Sequence, residues 1–389
     1  MNLHEFQAKE LLAGYGLPSP GGRVAITPQQ AEAIAVDLGP SAIVVKAQVH
    51  AGGRARAGGI HIVNSPVEAK AAAAKLLGKK LVTAQTGPEG RIVKRIYVEV
   101  GVQSVHELHL ALLVDGKSGQ VMLIGSARGG DDIEERAARG ELRLEKLGLG
   151  DGKTRQADAV AAFAHNIRID NRLIPAFETI VDGLRRAFVE LDASLIEINP
   201  LAITRDGFQA LDVKMALDDN ALFRHPELAA LRDEGEIDRR EHEAQNHQLN
   251  YVSMDGDIGL VANGAGLGLA TVDMVCQAKG RPANFMDIRT TATTRDVAYG
   301  FGLLLDNPAT RAILVNVHGG GMQPCDTIAE GLGIAMRRTG RSLPVIARLA
   351  GNNAEFARSR FVNFGCPIIE CPDMWTAATR AVEIARKGA

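Results

Sequence analysis

Two carboxylates and an amide stand out in the otherwise apolar stretch from Ala193 to Lys214: Glu197, Asn199 and Asp212. A carboxylate among apolar residues is costly to bury unless something positive meets it, so these three point to a hard-cation site. Mg²⁺ holding a nucleotide phosphate is the natural occupant. Residues 197 and 199 are two apart and project from one face of a strand, and Asp212 falls where it can meet Asn199 across a ladder. The competing reading is a set of polar groups at a solvated strand end, and the stretch alone leaves both open.

The element that would position them is a hairpin. Arg205-Asp206-Gly207 is a turn signal, with Leu195, Ile196, Ile198, Leu201 and Ile203 before it and Phe208, Ala210, Leu211 and Val213 after it. A second candidate for phosphate chemistry lies upstream. The strand Ala42–Lys46 ends in a lysine and runs into His50–Gly59, a loop with four glycines and two arginines. Backbone N–H groups approach anions where side chains are absent, and Arg54 and Arg56 add charge and forked donors. The loop lacks the Walker spacing, and a mobile basic surface loop is the alternative. Glu107, in the strand His106–Val114, can reach a ribose hydroxyl or an ion; taken singly it reads as a surface residue.

The chain has 389 residues, enough for two or three units at roughly 100 to 200 residues each. Hydrophobic residues make up 46% and the formal net charge is -2, so neither nucleic acid nor an anionic membrane is the expected partner. The four cysteines form no Cys-x-x-Cys pair, as in a reduced cytoplasmic protein. No 18-residue apolar run and no signal peptide is recognised, which makes a cytoplasmic location the expectation.

The remaining elements follow from periodicity. Asn2 with Glu5 suggests a capping box opening a packing helix that carries Leu3, Phe6, Leu11 and Leu12. Strands are expected at Gly22–Ile26 and Arg91–Val100, and helices from Thr27, over Val160–Ile167 and over Ala176–Leu191. The charged run Asp131–Arg136 reads as a solvated helix. His225–Asn250 is charged and poor in bulky apolar residues, which places a domain boundary near residue 240. Beyond it, strand, Gly-rich turn and Ala-rich helix repeat, with strands at Ile258–Ala262, Asn284–Ile288, Ala312–Val317, Val345–Leu349 and Pro367–Glu370. That pattern predicts a doubly wound parallel sheet with ligands at the carboxyl ends of its strands. Three of those ends carry notable runs, Asn263–Gly268, Arg289–Thr294 and His318–Gln323. Gly264, Gly266 and Gly268 do not have the dinucleotide spacing, so NAD is not expected.

Five motifs in order, Asn2–Leu12, Lys46–Arg54, Glu197–Leu201, Asp219–Arg224 and Asn263–Leu267, resemble the β subunit of ADP-forming succinate-CoA ligase and its relative malate-CoA ligase. The resemblance runs from Met1 to the C-terminus. It implies an α/β chain with an N-terminal ATP-grasp domain of two α+β lobes over residues 1–240, then a flavodoxin-like domain over 241–389 that contacts the acid and an α subunit. It further implies that Lys46 meets phosphate, that Gly53, Arg54 and Ala55 form the phosphate-covering loop, and that Glu99 and Val102 lie at the adenine link with Glu107 completing the nucleotide site. Asn199 and Asp212 fall where the family holds Mg²⁺. Glu197 falls where a carboxylate steadies the phosphohistidine of the partner. Asn263, Gly320, Gly321 and Met322 fall on acid-binding positions.

Ala55 and Arg56 replace a glycine and a lysine usual in the family. Where related chains carry a run of glycines, this one has Arg289-Thr290-Thr291, a bulkier and more positive surface. His318 replaces a phenylalanine, and Gly321 reads as a one-residue insertion; His318 is not assigned as the phosphorylated residue, since the family's phosphohistidine belongs to the α subunit. The expected function is that of the β subunit of an NDP-forming acid-CoA ligase, in an α/β hetero-oligomer, using ATP or GTP with Mg²⁺ to join CoA to a small di-acid. The alternatives are a malate or other non-succinate ligase, and a nucleotide-binding regulatory subunit without acid turnover.

Overall fold

A computed structural model describes residues 1–389 apart from 88–89, 131–132, 151–156, 237, 248, 321–323, 367 and 388–389. The chain divides into two compact units, Met1–Glu236 and Ile237–Ala389. Among the described residues, no helix is long and apolar enough to cross a membrane.

The first unit opens with helix α1 (Glu5–Ala13). Its N-cap is His4, with Gln7 closing the capping box, in place of the expected Asn2 and Glu5. Strand β1 (Gly22–Ala25), helix α2 (Pro28–Leu38), strands β2 (Ile43–Ala47) and β3 (Ile60–Val63) and helix α3 (Pro66–Leu76) follow. Thr27 and Ser65 cap α2 and α3, each with proline in the first turn, where its missing N–H costs nothing. The expected single strand over Arg91–Val100 is two. Strand β4 (Lys80–Leu81) pairs with β5 (Arg91–Ile92) in a small ribbon, whereas β6 (Ile96–Val100) joins an antiparallel sheet ordered β1-β6-β2-β3. In that sheet Ile43, Val45, Ala47, Ile96 and Val98 point into the core beneath α2 and α3, which leaves Lys46, Tyr97 and Glu99 to the opposite face.

A second antiparallel sheet contains β7 (His106–Val114), β8 (Val121–Ser126), β9 (Glu145–Gly148), β10 (Ala193–Thr204), β11 (Gly207–Ala210) and β12 (Val213–Leu217). Its order is β11-β10-β7-β8-β9, with β12 also on β10. Helix α4 (Ile133–Ala138) realises the described part of the charged run; Asp131 and Asp132 lie outside the described residues. Helices α5 (Ala157–Asn166) and α6 (Ile174–Glu190) cover the sheet, α6 through Phe177, Ile180, Val181, Leu184, Ala187 and Phe188 at helical spacing. The hairpin turns at Arg205-Asp206, and its return arm continues to Leu217 with a break at Leu211-Asp212.

The charged segment His225–Asn250, where the domain boundary was expected, is structured among its described residues. It carries α7 (Pro226–Ala229), α8 (Arg239–Gln245) and the start of strand β13 (Leu249–Ser253). In the second unit β14 (Ile258–Ala262), α9 (Ala265–Gln277), β15 (Asn284–Ile288), α10 (Thr294–Asp306), β16 (Ala312–Gly319), α11 (Cys325–Thr339), β17 (Val345–Gly351), α12 (Ala354–Asn363), β18 (Ile368–Glu370) and α13 (Met374–Lys387) alternate. The sheet order is β13-β15-β14-β16-β17-β18. Its parallel part has the flavodoxin-like order, and β13 adds an antiparallel edge that strand-helix alternation does not announce. Along β16, Ala312 and Leu314 face α9 and α13, whereas Ile313, Val315 and Val317 face the other core, so helices cover both sides.

Candidate functional site

Four of the residues singled out in the first unit, Lys46, Arg54, Glu99 and Asp212, meet in a buried cluster of charge. Strand β2 delivers Lys46 and β6 delivers Glu99; Lys46 Nζ lies 2.5 Å from Glu99 Oε1 and 2.9 Å from Glu5 Oε1. Arg54, from the glycine loop, turns inward. Its guanidinium donates to Ala47 O at 2.7 Å, Glu5 Oε2 at 2.7 Å and Asp212 Oδ1 at 2.6 Å. Gly53 and Gly58 make that inward turn feasible, with φ of 71° and 74° in the left-handed region. The break in the return arm supplies Asp212 and the Leu211 carbonyl, which accepts from Lys46 Nζ at 2.6 Å and from Lys9 Nζ at 2.8 Å.

Helix α1 completes the cluster. Glu5 and Lys9 are one turn apart, 3.0 Å from each other, and Lys9 also reaches Glu99 at 2.6 Å. The helix expected only to pack therefore carries two buried charges, both 2% exposed at the side chain. Sequence reasoning missed them because the apolar recurrence of the helix was read without the Glu5/Lys9 pair at i, i+4, which was the available signal. Burial pushes the Glu5 carboxyl up, but Lys46, Lys9 and Arg54 around it hold it well below the usual carboxylate range. Glu99 faces two lysines, and there burial dominates and raises the carboxyl. Burial works against the Lys46 ammonium, yet Glu5, Glu99 and Asp212 raise it above its ordinary value. Three cations, Lys9, Lys46 and Arg54, thus face three carboxylates, Glu5, Glu99 and Asp212, and the cluster is self-neutralised.

Asn199 sits opposite the break. Register shifts in β10 between Ile198 and Leu201, and the Asn199–Pro200 peptide is cis. Asn199 N donates to Asp212 O at 3.0 Å, so the two predicted metal residues are neighbours through their backbones. Their side chains diverge: the Asn199 amide exchanges hydrogen bonds with Gly130 N and O at 2.8 and 3.0 Å, while Asp212 pairs with Arg54. Among the described residues no three His, Cys, Asp or Glu side chains are grouped to hold a metal. The oxygen donors of Asn199 and Asp212 nevertheless suit Mg²⁺, which binds through one or two protein oxygens and keeps waters and phosphates.

Glu197 stands apart from the cluster. It lies directly across from Lys214 in the β10–β12 ladder, 3.2 Å from its ammonium, with His109 Nε2 at 3.8 Å. Burial alone would raise its carboxyl, but the His109 ring and the Lys214 ammonium bring it down to about 2. A cavity of about 290 Å³ joins the two groups, lined by Glu5, His50, Arg54, Gln85, Glu197 and Lys214 among others. Lys214 was the other omission, and its position opposite Glu197 follows from the hairpin register.

Val102 lines a separate cavity of about 660 Å³ beside the hairpin turn, together with Gly101, Ser104 and Arg205. Glu107 is exposed and accepts from Ser104 Oγ at 2.8 Å, outside the charge cluster. Ala55 is exposed on the loop. In the second unit the Asn263 amide and His318 backbone exchange bonds at 2.8 and 2.9 Å, joining the ends of β14 and β16. Arg289 follows β15, and Gly320 follows β16; Gly321 and Met322 lie outside the described residues.

Residues 2–203 match the family model for an ATP-grasp domain, and residues 261–382 match that for CoA-ligase. The succinate–CoA ligase (ADP-forming) subunit beta of Geobacillus kaustophilus strain HTA426 is 42% identical over 387 residues, which covers 99% of this chain and 100% of that protein. The protein of the same name from Ralstonia nicotianae is 44% identical, covering 99% of both. A solved structure of ATP citrate lyase from Methanothrix soehngenii, in complex with citrate and coenzyme A, shares the fold with a TM-score of 0.71 at 17% identity, over 98% of this chain and 99% of that one. With both family models in order and relatives at this identity along 99% of its length, the chain belongs to the ADP-forming succinate–CoA ligase β-subunit family, a family of ATP-grasp ligases.

Proposed function

We propose that this chain is the nucleotide-binding β subunit of an NDP-forming acid–CoA ligase, with residues 1–240 serving the nucleotide and 241–389 the acid and the partner. ATP or GTP phosphorylates a histidine of an α subunit. The phosphoryl group then passes to a small organic di-acid as an acyl phosphate, and the CoA thiol displaces phosphate to leave the thioester. The observation that carries this reading is the buried cluster of Lys46, Arg54, Glu99 and Asp212, opening through Arg54 onto the cavity that also holds Glu197.

The residues divide the work. Lys46, on β2, and Arg54, on the glycine loop, are the phosphate cations; the Gly53 to Ala55 backbone covers the phosphates, Glu99 and Val102 lie at the adenine link, and Glu107 completes the nucleotide site. Asn199 and Asp212 would hold Mg²⁺, which when bound offsets charge on the transferring phosphoryl group. The cluster is neutral as it stands, so for Asp212 to hold a cation it would have to release Arg54, which would keep Glu5 as its remaining carboxylate partner and have more of its charge to offer a phosphate. Glu197, kept anionic by Lys214 and His109, meets the phosphohistidine of the partner. Asn263 and Gly320 to Met322 bind the acid.

The test is to prepare the chain with its α partner and supply ATP or GTP labelled at the γ-phosphate. An acid-labile, base-stable label on the α subunit is expected, followed by its loss on adding a di-acid and CoA. Absence of label with either nucleotide overturns the proposal.

A further inference from the structure

Arg289 is an exposed guanidinium held in place without being neutralised. It stands immediately after β15, at the carboxyl end of the parallel sheet, where ligands of this architecture bind. Its Nε and Nη2 both donate to one atom, Asn250 Oδ1, at 3.1 and 2.8 Å. Asn250 belongs to the antiparallel edge strand β13 and lies directly opposite Asp287 in the ladder. Its Nδ2 donates to Asp287 Oδ2 at 3.0 Å, and Asp287 Oδ1 accepts from Gly264 N at 2.6 Å. Asp287 is 6% exposed.

That chain of contacts is unusual in what it avoids. A guanidinium two residues from a buried carboxylate would ordinarily pair with it, bidentate and charge-assisted. Here a neutral amide stands between them, and both Asp287 oxygens are already taken by neutral N–H donors. Among the described residues Arg289 has no carboxylate partner, although three of its five donors remain to be used. Fixing the side chain through Asn250 removes part of the rotamer entropy that a ligand would otherwise have to meet. The neighbouring strand end is different in kind: Asn263 and the His318 backbone satisfy each other, and the cation on β17, Arg348, spends Nη1 on Val317 O at 3.4 Å.

We infer that Arg289 is a specificity-determining residue that binds an anionic group of the acid remote from the carboxylate being activated, and that Asn250 is its positioning residue. Arg289 is thus the residue of this chain that takes the second anion, carboxylate or sulfonate, of the di-acid. This rests on the reading of the chain as an acid–CoA ligase subunit.

The experiment uses the α/β complex, with thioester formation measured against succinate, malate, sulfoacetate and butyrate. Dianionic acids are expected to be turned over and butyrate poorly or not at all. Arg289→Gln is expected to raise KM for the preferred dianion about 10- to 100-fold, the loss of one charge-assisted contact, with partial rescue by Arg289→Lys. Asn250→Asp leaves Arg289 present but supplies it with a carboxylate, and is expected to raise the same KM with kcat lowered less. Equal KM for dianions in wild type and Arg289→Gln, or butyrate as the best acid, overturns the inference. Nucleotide-dependent label on the α histidine, scored in the wild-type complex, reports on the parent reading separately: label without Arg289 dependence sinks only this inference, and no label sinks the ligase reading itself.

Discussion

Glu5→Gln removes one negative charge from the buried cluster while keeping the side chain's size. In the native chain Glu5 lies 2.9 Å from Lys46, 3.0 Å from Lys9 and 2.7 Å from Arg54. After the change those three cations face only Glu99 and Asp212, so one buried positive charge is left without a partner. Breaking a buried pair in this way costs about 3–5 kcal/mol, a large share of the roughly 5–15 kcal/mol that holds a typical domain. Urea unfolding at pH 7 should show that loss in the first unit. The sign with pH follows from the depressed carboxyl: the stabilisation by Glu5 is complete above about 4.5, its unfolded value, and is lost as pH falls below it. The variant should therefore lose less stability than the native chain on acidification through that window. Nucleotide provides the discriminating readout, because phosphate entering the native cluster displaces carboxylates, whereas in the variant it meets a cation already unpaired. If affinity rises tenfold, ligand-induced stabilisation grows by about 1.4 kcal/mol, visible as a larger ATP-dependent rise in Tm than in the native chain. A loss below about 1 kcal/mol, the range of exposed pairs, together with an unchanged nucleotide shift would refute the reasoning.

Asp212→Ala should abolish nucleotide-dependent phosphorylation of the partner, with assembly of the two subunits intact by size-exclusion chromatography; unchanged turnover would remove the hairpin break from the mechanism. Lys214→Ala removes a cation that lowers Glu197, so the Glu197 carboxyl should rise above about 2 and the acid limb of the activity profile should move to higher pH; a profile with an unmoved acid limb would show that Glu197 does not titrate in the reaction. Gly53→Ala places a Cβ at a φ of 71° and should cost about 1–2 kcal/mol by denaturant titration, with KM for nucleotide raised more than kcat is lowered; a neutral effect on both would show that the loop does not need its inward turn.

The sequence exposed the hairpin because a two-residue turn between apolar arms is a local signal, and Arg205-Asp206 turns where expected. Lys46 was legible for a similar reason: a lysine ending an apolar strand before a glycine loop has few ordinary explanations. The doubly wound sheet was visible from alternation of strand and helix. What escaped depends on distant partners. Glu5 and Lys9 look like any surface pair on a helix until β2, β6 and the return arm are brought against them. The edge strand Leu249–Ser253 was hidden by the charged residues before it, since an antiparallel edge needs only Leu249 and Tyr251 to face inward. Strands β5 and β6 merged in the reading because Val93 to Arg95 carry no glycine or proline to mark the change of sheet.

The charge cluster also bears on the order in which the first unit can mature. Its bonds join residues 41, 90, 158 and 202 positions apart, so each half of the cluster waits for chain made much later. Contacts of such long sequence separation form slowly, because loop closure precedes any reward. During synthesis, helix α1 emerges with Glu5 and Lys9 able to pair with each other, Lys46, Arg54 and Glu99 follow, and the cluster is complete only once the strand break at Leu211-Asp212 has left the ribosome. Acquisition of the cluster is accordingly a late event, which makes nucleotide-binding competence a marker of completed folding in the first unit and nucleotide itself a ligand that traps the finished state.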